Sequence, residues 1–298
     1  GNREIEASDV ASYFHTGGTT GSPKIAPHTH GAEVFEAWVA VNFWGYEPRM
    51  PIFNALPLFH VAGSLLFSLA PMAAGMEILI LTPAGLRNPT AVENYWPLAE
   101  KYKVEIVGGI PTSLGSLLNA PSEGVDMSSV KFCVTGGAAL PLQVEKDWKK
   151  QYDLNIFPMY GLTECTLAMA MSPVHGERVM ASTGIRVPFI EMKVGRLETS
   201  DIPKDECAPN EIGVVMTRGI HVFPGYLDPR QNKGTLTGDG WLISGDLGYL
   251  DEQGNLFITG RSKDLIIRGG HNIDPSIIEE AMVEHPEVEL AAAVARPD

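Results

Sequence analysis

The sequence predicts an α/β fold: a mainly parallel sheet flanked by helices, followed by a small antiparallel β subdomain. Two observations predict it. Over about the first 180 residues, short apolar runs bounded by Gly or Pro alternate with helix-like segments. Strands that alternate with helices pair in parallel, because each crossover helix carries the chain back to the same end of the sheet. Over residues 181–261 the runs shorten and are separated by Gly, Pro and Asp, the texture of an antiparallel sheet or small barrel.

Taken in order, residues 11–14 are the first strand-like run and residues 31–42 the first expected helix. Residues 77–81 form a continuous apolar run of strand length. Residues 104–107, 130–134 and 154–158 follow the same form, with helices expected over 90–103 and 141–151. In the second region strands are expected at 191–194, 211–217, 241–244, 248–251 and 255–259. Asp251-Glu-Gln-Gly254 makes a hairpin turn between the last two. Asp274 can cap a helix whose first turn holds Pro275, with Ile277, Ile278, Ala281 and Met282 on one face. Residues 290–295 read as a further strand.

The chain has 298 residues, 44% hydrophobic and 19% charged, which suits a globular protein with a substantial core. Its net charge of −14 argues against nucleic acid, whose phosphates need clustered Lys and Arg, and against an anionic membrane surface. No apolar run is long enough to span a membrane. Cys133, Cys165 and Cys207 make no CxxC pattern, so neither a disulfide framework nor a zinc site is expected, and a reducing cytoplasm is the expected location. Nothing in the pattern signals an oligomeric state.

One segment carries chemistry of its own. In Thr16-Gly-Gly-Thr-Thr-Gly-Ser-Pro-Lys24, Gly17, Gly18 and Gly21 let the backbone turn tightly and bring its N–H groups near an anion. Thr16, Thr19, Thr20 and Ser22 add hydroxyls, and Lys24 adds a positive charge. Together they suit a polyphosphate. A Walker A loop is excluded, because Pro23 rather than Gly precedes Lys24 and Ile25 rather than Ser or Thr follows it.

This stretch resembles the signature loop of the adenylate-forming superfamily, and of its acyl-CoA synthetases in particular. It departs where Ile25 stands for the usual Gly and Gly17 for the commoner Ser. Further matches follow in the family's order. Leu56-Pro-Leu-Phe-His60 resembles an element that puts His60 near the acyl group and the thiol tunnel. Cys133-Val-Thr-Gly-Gly-Ala-Ala-Leu140 resembles one whose Gly136, Gly137 and Ala138 border the acyl pocket and adenine. Tyr160-Gly161-Leu-Thr-Glu164 implies stacking of Tyr160 on adenine, donation from Thr163 to the α-phosphate, and Mg2+ held by Glu164. Ser244-Gly-Asp246 stands for the usual Thr-Gly-Asp, with Asp246 accepting from both ribose hydroxyls. Gly260-Arg-Ser-Lys-Asp264 implies Arg261 at the ribose and Lys263 at a hinge.

The resemblance runs from residue 11 to about 290. It implies the α/β part of a large domain over 1–180, a β-rich subdomain of it over 181–261, and a hinge plus the start of a small α+β C-terminal domain over 262–298. The implied reaction joins a carboxylic acid to ATP as an acyl-adenylate, then passes the acyl group to coenzyme A. Lys24, Thr163, Glu164 and His60 are the catalytic candidates, with ATP, Mg2+ and coenzyme A as cofactors. The chain is expected to be truncated at both ends and to lack a late lysine that the family uses in adenylation, so the fragment is expected to adenylate slowly or not at all. Three alternatives stay open: an adenylation domain loading a carrier protein, a nucleotide-binding fragment without full activity, and a metal protein built on His15, His28 and His30.

Overall fold

The computed structural model describes residues 4–16, 24–176, 178–197, 203, 205–264, 266–268, 271–273, 275–283, 285, 288 and 291–294. β1 (Val10–Thr16) and β2 (Lys24–Thr29) pair antiparallel, with Thr16 opposite Lys24. The two ends of the glycine-rich loop are thereby held side by side. Gly17, Gly18, Thr19, Thr20 and Gly21 themselves lie outside the described residues. Thr29 caps α1 (His30–Trp44) by accepting the Ala32 N–H at 3.2 Å.

The large sheet is assembled from β3 (Pro51–Asn54), β4 (Glu77–Ile80), β5 (Ile106–Gly109), β6 (Phe132–Thr135), β7 (Ile156–Tyr160), β8 (Ala170–Met171) and β9 (Ile185–Arg186). Its spatial order is β4-β3-β5-β6-β7-β8-β9. The first five strands in that order are parallel and the last two antiparallel. A π-helical segment, Ala62–Leu69, runs into α2 (Ala70–Ala74), and α3 (Pro89–Glu93), α4 (Tyr95–Lys101), α5 (Pro111–Leu117) and α6 (Leu142–Tyr152) complete the helices around the sheet. Successive strand residues face opposite ways. Ile52, Ile106, Val134 and Phe157 join α1 and the π-helical segment in one core, whereas Phe53, Val107, Cys133 and Ile156 join α4, α5 and α6 in another. Burial on both faces is why these strands read as continuous apolar runs rather than alternating ones.

The helix expected over 90–103 is two helices, parted at Asn94. Pro97 has no N–H to give the Glu93 carbonyl and its ring would strike that oxygen, so α4 has to begin afresh with Pro97 in its first turn.

The second sheet holds β10 (Glu191–Gly195), β11 (Gly213–Arg218), β12 (Leu242–Leu250) and β13 (Leu256–Arg261), each antiparallel to the next. The strands expected at 241–244 and 248–251 are one strand. Its register shifts where it meets β11 and again at Leu247–Gly248, so the polar Ser244-Gly245-Asp246 rides inside β12 without ending it. β14 (Ile266–Arg268) and β15 (His271–Ile273) form a hairpin before α7 (Pro275–Val283). Asp274, the expected cap, lies outside the described residues. On the expected apolar face, Ile278 and Met282 remain 39% and 50% exposed. Residues 291–294 are not in a strand: the Ala293 N–H goes to Glu279 Oε1 at 2.9 Å instead of a ladder.

Arg49 holds a left-handed backbone conformation (φ 70°) with its side chain exposed. That conformation costs a residue with a Cβ about 1–2 kcal/mol. Arg49→Gly should therefore raise stability by about 1 kcal/mol in a urea titration, and a fall would mean that the side chain contributes more than its exposure indicates.

Candidate active site

A cavity of about 530 Å³ opens where the C-terminal ends of β5, β6 and β7 meet the second sheet, the place where open α/β sheets take ligands. Its wall changes character from one end to the other.

Thr16, Lys24, Thr163, Glu164, Tyr226 and Arg261 line the polar end. The Lys24 ammonium sits 4.6 Å from the centre of the Tyr226 ring, a cation–π contact. The Tyr226 hydroxyl donates to Glu164 Oε1. Burial and the Glu164 charge push the Tyr226 phenol up, so it stays a donor. One aromatic ring thus holds the cation and the carboxylate of this end together.

Asp246 stands just behind the wall, 5% exposed. Tyr160 donates to its Oδ2 at 2.7 Å, and Arg261 Nε lies 3.1 Å from its Oδ1. Burial raises the Asp246 carboxyl, while the Tyr160 hydrogen bond and the charges of Arg261 and Lys263 pull it back. Lys263 is exposed in the short 3-10 turn Ser262–Asp264 that follows β13. The Tyr160 hydroxyl is therefore committed to Asp246, and Tyr160 and Asp246 back the cavity rather than line it.

Buried groups clasp the turn between Tyr160 and Ala168, mostly by its backbone. His28 Nε2 meets the Thr163 carbonyl at 2.7 Å, and Glu36 Oε2 accepts the Ala168 N–H at 3.2 Å. Phe223 N–H donates to the Glu164 carbonyl at 2.9 Å, and Thr166 Oγ1 donates to the His221 carbonyl at 2.8 Å. Burial lowers His28 to about 4 and raises the Glu36 carboxyl well above its ordinary range, so both are neutral. Thr166 adopts φ 65°, ψ −55°, a strained geometry that persists where surroundings over-determine it. Gly161 is required here, since a Cβ would lie 1.8 Å from the Leu167 carbonyl oxygen.

At the apolar end, Gly109, Gly136 and Gly137 pave the floor, and Leu66, Phe67, Met159 and Leu167 form the walls. His60 lies at the rim. Its Nδ1 accepts the Ala62 N–H at 3.3 Å, and burial, then the charges of His15 and Arg87, lower its pKa, so its proton is on Nε2.

Of the residues expected from the sequence, Thr16, Lys24, His60, Gly136, Gly137, Gly161, Thr163, Glu164 and Arg261 line this one cavity. Ala138 is exposed and outside the lining. His28 and His30 do not share a strand face, because β2 ends at Thr29 and His30 opens α1. His28 is fully buried and spends its Nε2 on Thr163, and among the described residues no group of three or more His, Cys, Asp or Glu could hold a metal. Tyr226, Glu36 and His221 were not anticipated. The available signal for Tyr226 was Phe223-Pro-Gly-Tyr226, a turn that presents an aromatic; a buried Glu or His within an apolar stretch has no signal of its own.

Residues 2–227 match the family described as AMP-binding enzyme. The chain is 37% identical to the marinolic acid–CoA ligase of Pseudoalteromonas sp. (strain SANK 73390), covering 100% of this chain and 46% of that protein. It is 31% identical to the long-chain-fatty-acid–CoA ligase of Bacillus subtilis (strain 168), covering 97% and 50%. Among solved structures, O-succinylbenzoate coenzyme A synthetase from Bacillus subtilis in complex with ATP and magnesium ion superposes with a TM-score of 0.85 at 28% identity, covering 99% and 59%. The chain spans about half the length of the curated relatives it matches. With the family's match running through Thr16, Lys24, the cavity floor and the Tyr160–Glu164 turn, the chain belongs to the AMP-binding enzymes.

Proposed function

We propose that the whole protein activates a carboxylic acid with ATP to an acyl-adenylate and then transfers the acyl group to the thiol of coenzyme A. The carrying observation is that one cavity joins a cationic, carboxylate- and hydroxyl-bearing end to an apolar end, with the Asp246 carboxylate behind the first. A carboxylate oxygen attacks the α-phosphorus and the bond to pyrophosphate breaks. Lys24 and the Thr16 and Thr163 hydroxyls offset the charge that develops there. Asp246 accepts from the ribose hydroxyls, with the Tyr160 hydrogen bond and the Arg261 charge countering the effect of its burial. In the second half the thiol sulfur attacks the acyl carbon and AMP leaves, with His60 beside the acyl group.

Magnesium fits this site in one way. Among the described residues lining the cavity Glu164 is the one carboxylate, and Mg2+ is commonly held by one or two carboxylates together with substrate phosphates and water. Bound there with Glu164 as its protein ligand, Mg2+ would neutralise phosphate charge. Lys263 serves as the hinge to a small C-terminal domain. The proposed domains are 1–180, 181–261 and 262–298, and the cytoplasm, where ATP and coenzyme A are plentiful, is the proposed location. No helix among the described residues is long and apolar enough to cross a membrane.

The test is pyrophosphate release by the whole protein with Mg·ATP and a panel of acids, followed by thioester formation with coenzyme A or a phosphopantetheine carrier. Acid-dependent release of pyrophosphate, with coenzyme A as acceptor, is expected. Release of orthophosphate instead would overturn the reading, and loading of the carrier alone would replace its second half. In the same assay Tyr226→Phe should lower the rate about tenfold, because it removes a hydrogen bond to a charged group and leaves the ring under Lys24. An unchanged rate would show that Glu164 is held without it.

A further inference from the structure

The apolar end of the cavity has a composition that selects among acids. Its floor, Gly109 and Gly136, is backbone at the ends of adjacent parallel strands, and its walls are Leu66, Phe67, Met159 and Leu167. Two glycines beside these walls leave no room for a side chain. A Cβ on Gly136 would lie 2.8 Å from Met159 Cγ, and one on Gly108, beside Gly109, would lie 2.9 Å from Phe67 Cζ. Phe67 and Leu66 are each 1% exposed, so their rings and methyls are packed from behind.

Charge is distributed just as unevenly. Among the described residues lining the cavity, the Lys and Arg side chains are Lys24 and Arg261, and both belong to the polar end: one lies on the Tyr226 ring, the other on Asp246. His60 at the rim is held neutral. Arg87 is near enough to depress His60, but it is exposed and outside the lining. A second anionic group on the acid would therefore be stripped of water against hydrocarbon, with no cation or donor side chain on these walls to compensate.

We infer that the acid is a monocarboxylic acid whose tail is uncharged and apolar. The inference rests on the acyl-adenylate reading above and deepens it. The walls discriminate by hydrophobic gain along the tail and by the cost of burying a charge at its far end.

The probes are non-hydrolysable acyl-adenylates, 5′-O-(N-acylsulfamoyl)adenosines, titrated into the whole protein by calorimetry. One series carries straight alkanoyl groups of increasing length, and a second carries the same chains ending in a carboxylate. Affinity should rise about fourfold for each added methylene until the pocket is filled. The terminal carboxylate should cost about a hundredfold or more against the alkanoyl group of equal length. Equal or tighter binding of the carboxylated series, or affinity that does not change with alkanoyl length, overturns the inference while leaving the adenylate reading intact, provided that sulfamoyladenosine itself binds and Asp246→Ala weakens every probe alike. If neither sulfamoyladenosine nor any acylated probe binds, the adenylate reading falls and the inference falls with it.

Discussion

Replacing Asp246 with alanine is expected to weaken binding of Mg·ATP to the whole protein by about 10²–10⁴-fold. Each hydrogen bond to an ionised group is worth about 1.5–3 kcal/mol, and the proposed role of the carboxylate is to accept two from a ribose. Both of its oxygens are already oriented, one by the Tyr160 hydroxyl at 2.7 Å and one by Arg261 at 3.1 Å, so little ordering is left to do on binding. The alanine variant also leaves Tyr160 and Arg261 without that partner. Asp246→Asn separates the effects: it keeps an oxygen for Tyr160 but loses the charge, and should fall between the two. Calorimetric titration of the three proteins decides the matter, with far-UV circular dichroism to confirm that each is folded. Equal affinity for ATP in the parent and the alanine variant would take the ribose away from Asp246.

Acid should destabilise the fold well before its surface carboxylates titrate. His28 and His221 are both fully buried, and burial lowers each from 6.5 to about 4. Between those values the unfolded chain binds protons that the folded chain refuses, so stability falls as pH falls. At about 1.36 kcal/mol per pH unit, each histidine accounts for about 3 kcal/mol by pH 4. Glu36 works against them. Its buried carboxyl keeps its proton above the ordinary carboxylate range, which favours the folded state at low pH and loses that advantage as pH rises. Asp246, also raised, offsets a further part. The net loss from pH 6.5 to 4.5 is expected to be clearly smaller than the about 4 kcal/mol that the two histidines alone would give in urea titrations. His221→Gln should flatten this limb and Glu36→Gln should steepen it. A parent protein equally stable at pH 6.5 and 4.5, with neither variant changing the slope, would mean that these groups are not held neutral.

The parallel strands were legible because they are buried on both faces, yet their edges were read early. Val104, Val130 and Leu154 begin the apolar runs and are themselves buried, but β5, β6 and β7 start two residues later, at Ile106, Phe132 and Ile156. Hydropathy reports burial, and those residues enter the core before the backbone reaches its partner strand. At the other end the strands run into Gly109, Gly136 and Gly161, which line the cavity. The part of the cavity's lining that was legible is where small residues and hydroxyls cluster in short stretches. What sequence could not supply were contacts made at long range. Tyr226 reaches Glu164 across 62 positions and Glu36 reaches Ala168 across 132, and neither separation leaves a local pattern. The π-helical form of Ala62–Leu69 was equally hidden, since its composition suits any buried helix.

The two ends of the cavity come from different parts of the fold. The polar end is built by the β1–β2 hairpin, the first part of the Tyr160–Ala168 turn and the second sheet, and the apolar end mainly by the π-helical segment and the tips of the large sheet's strands, with Leu167 of that turn as one wall. Groups that share no contacts have additive energies, within about 0.3–0.5 kcal/mol for well-separated sites. A change of wall at Phe67 and a change of clamp at Tyr226 should therefore combine without coupling. Under the proposed acyl-adenylate reading, a change in the acid accepted would then leave the grip on the nucleotide as it was.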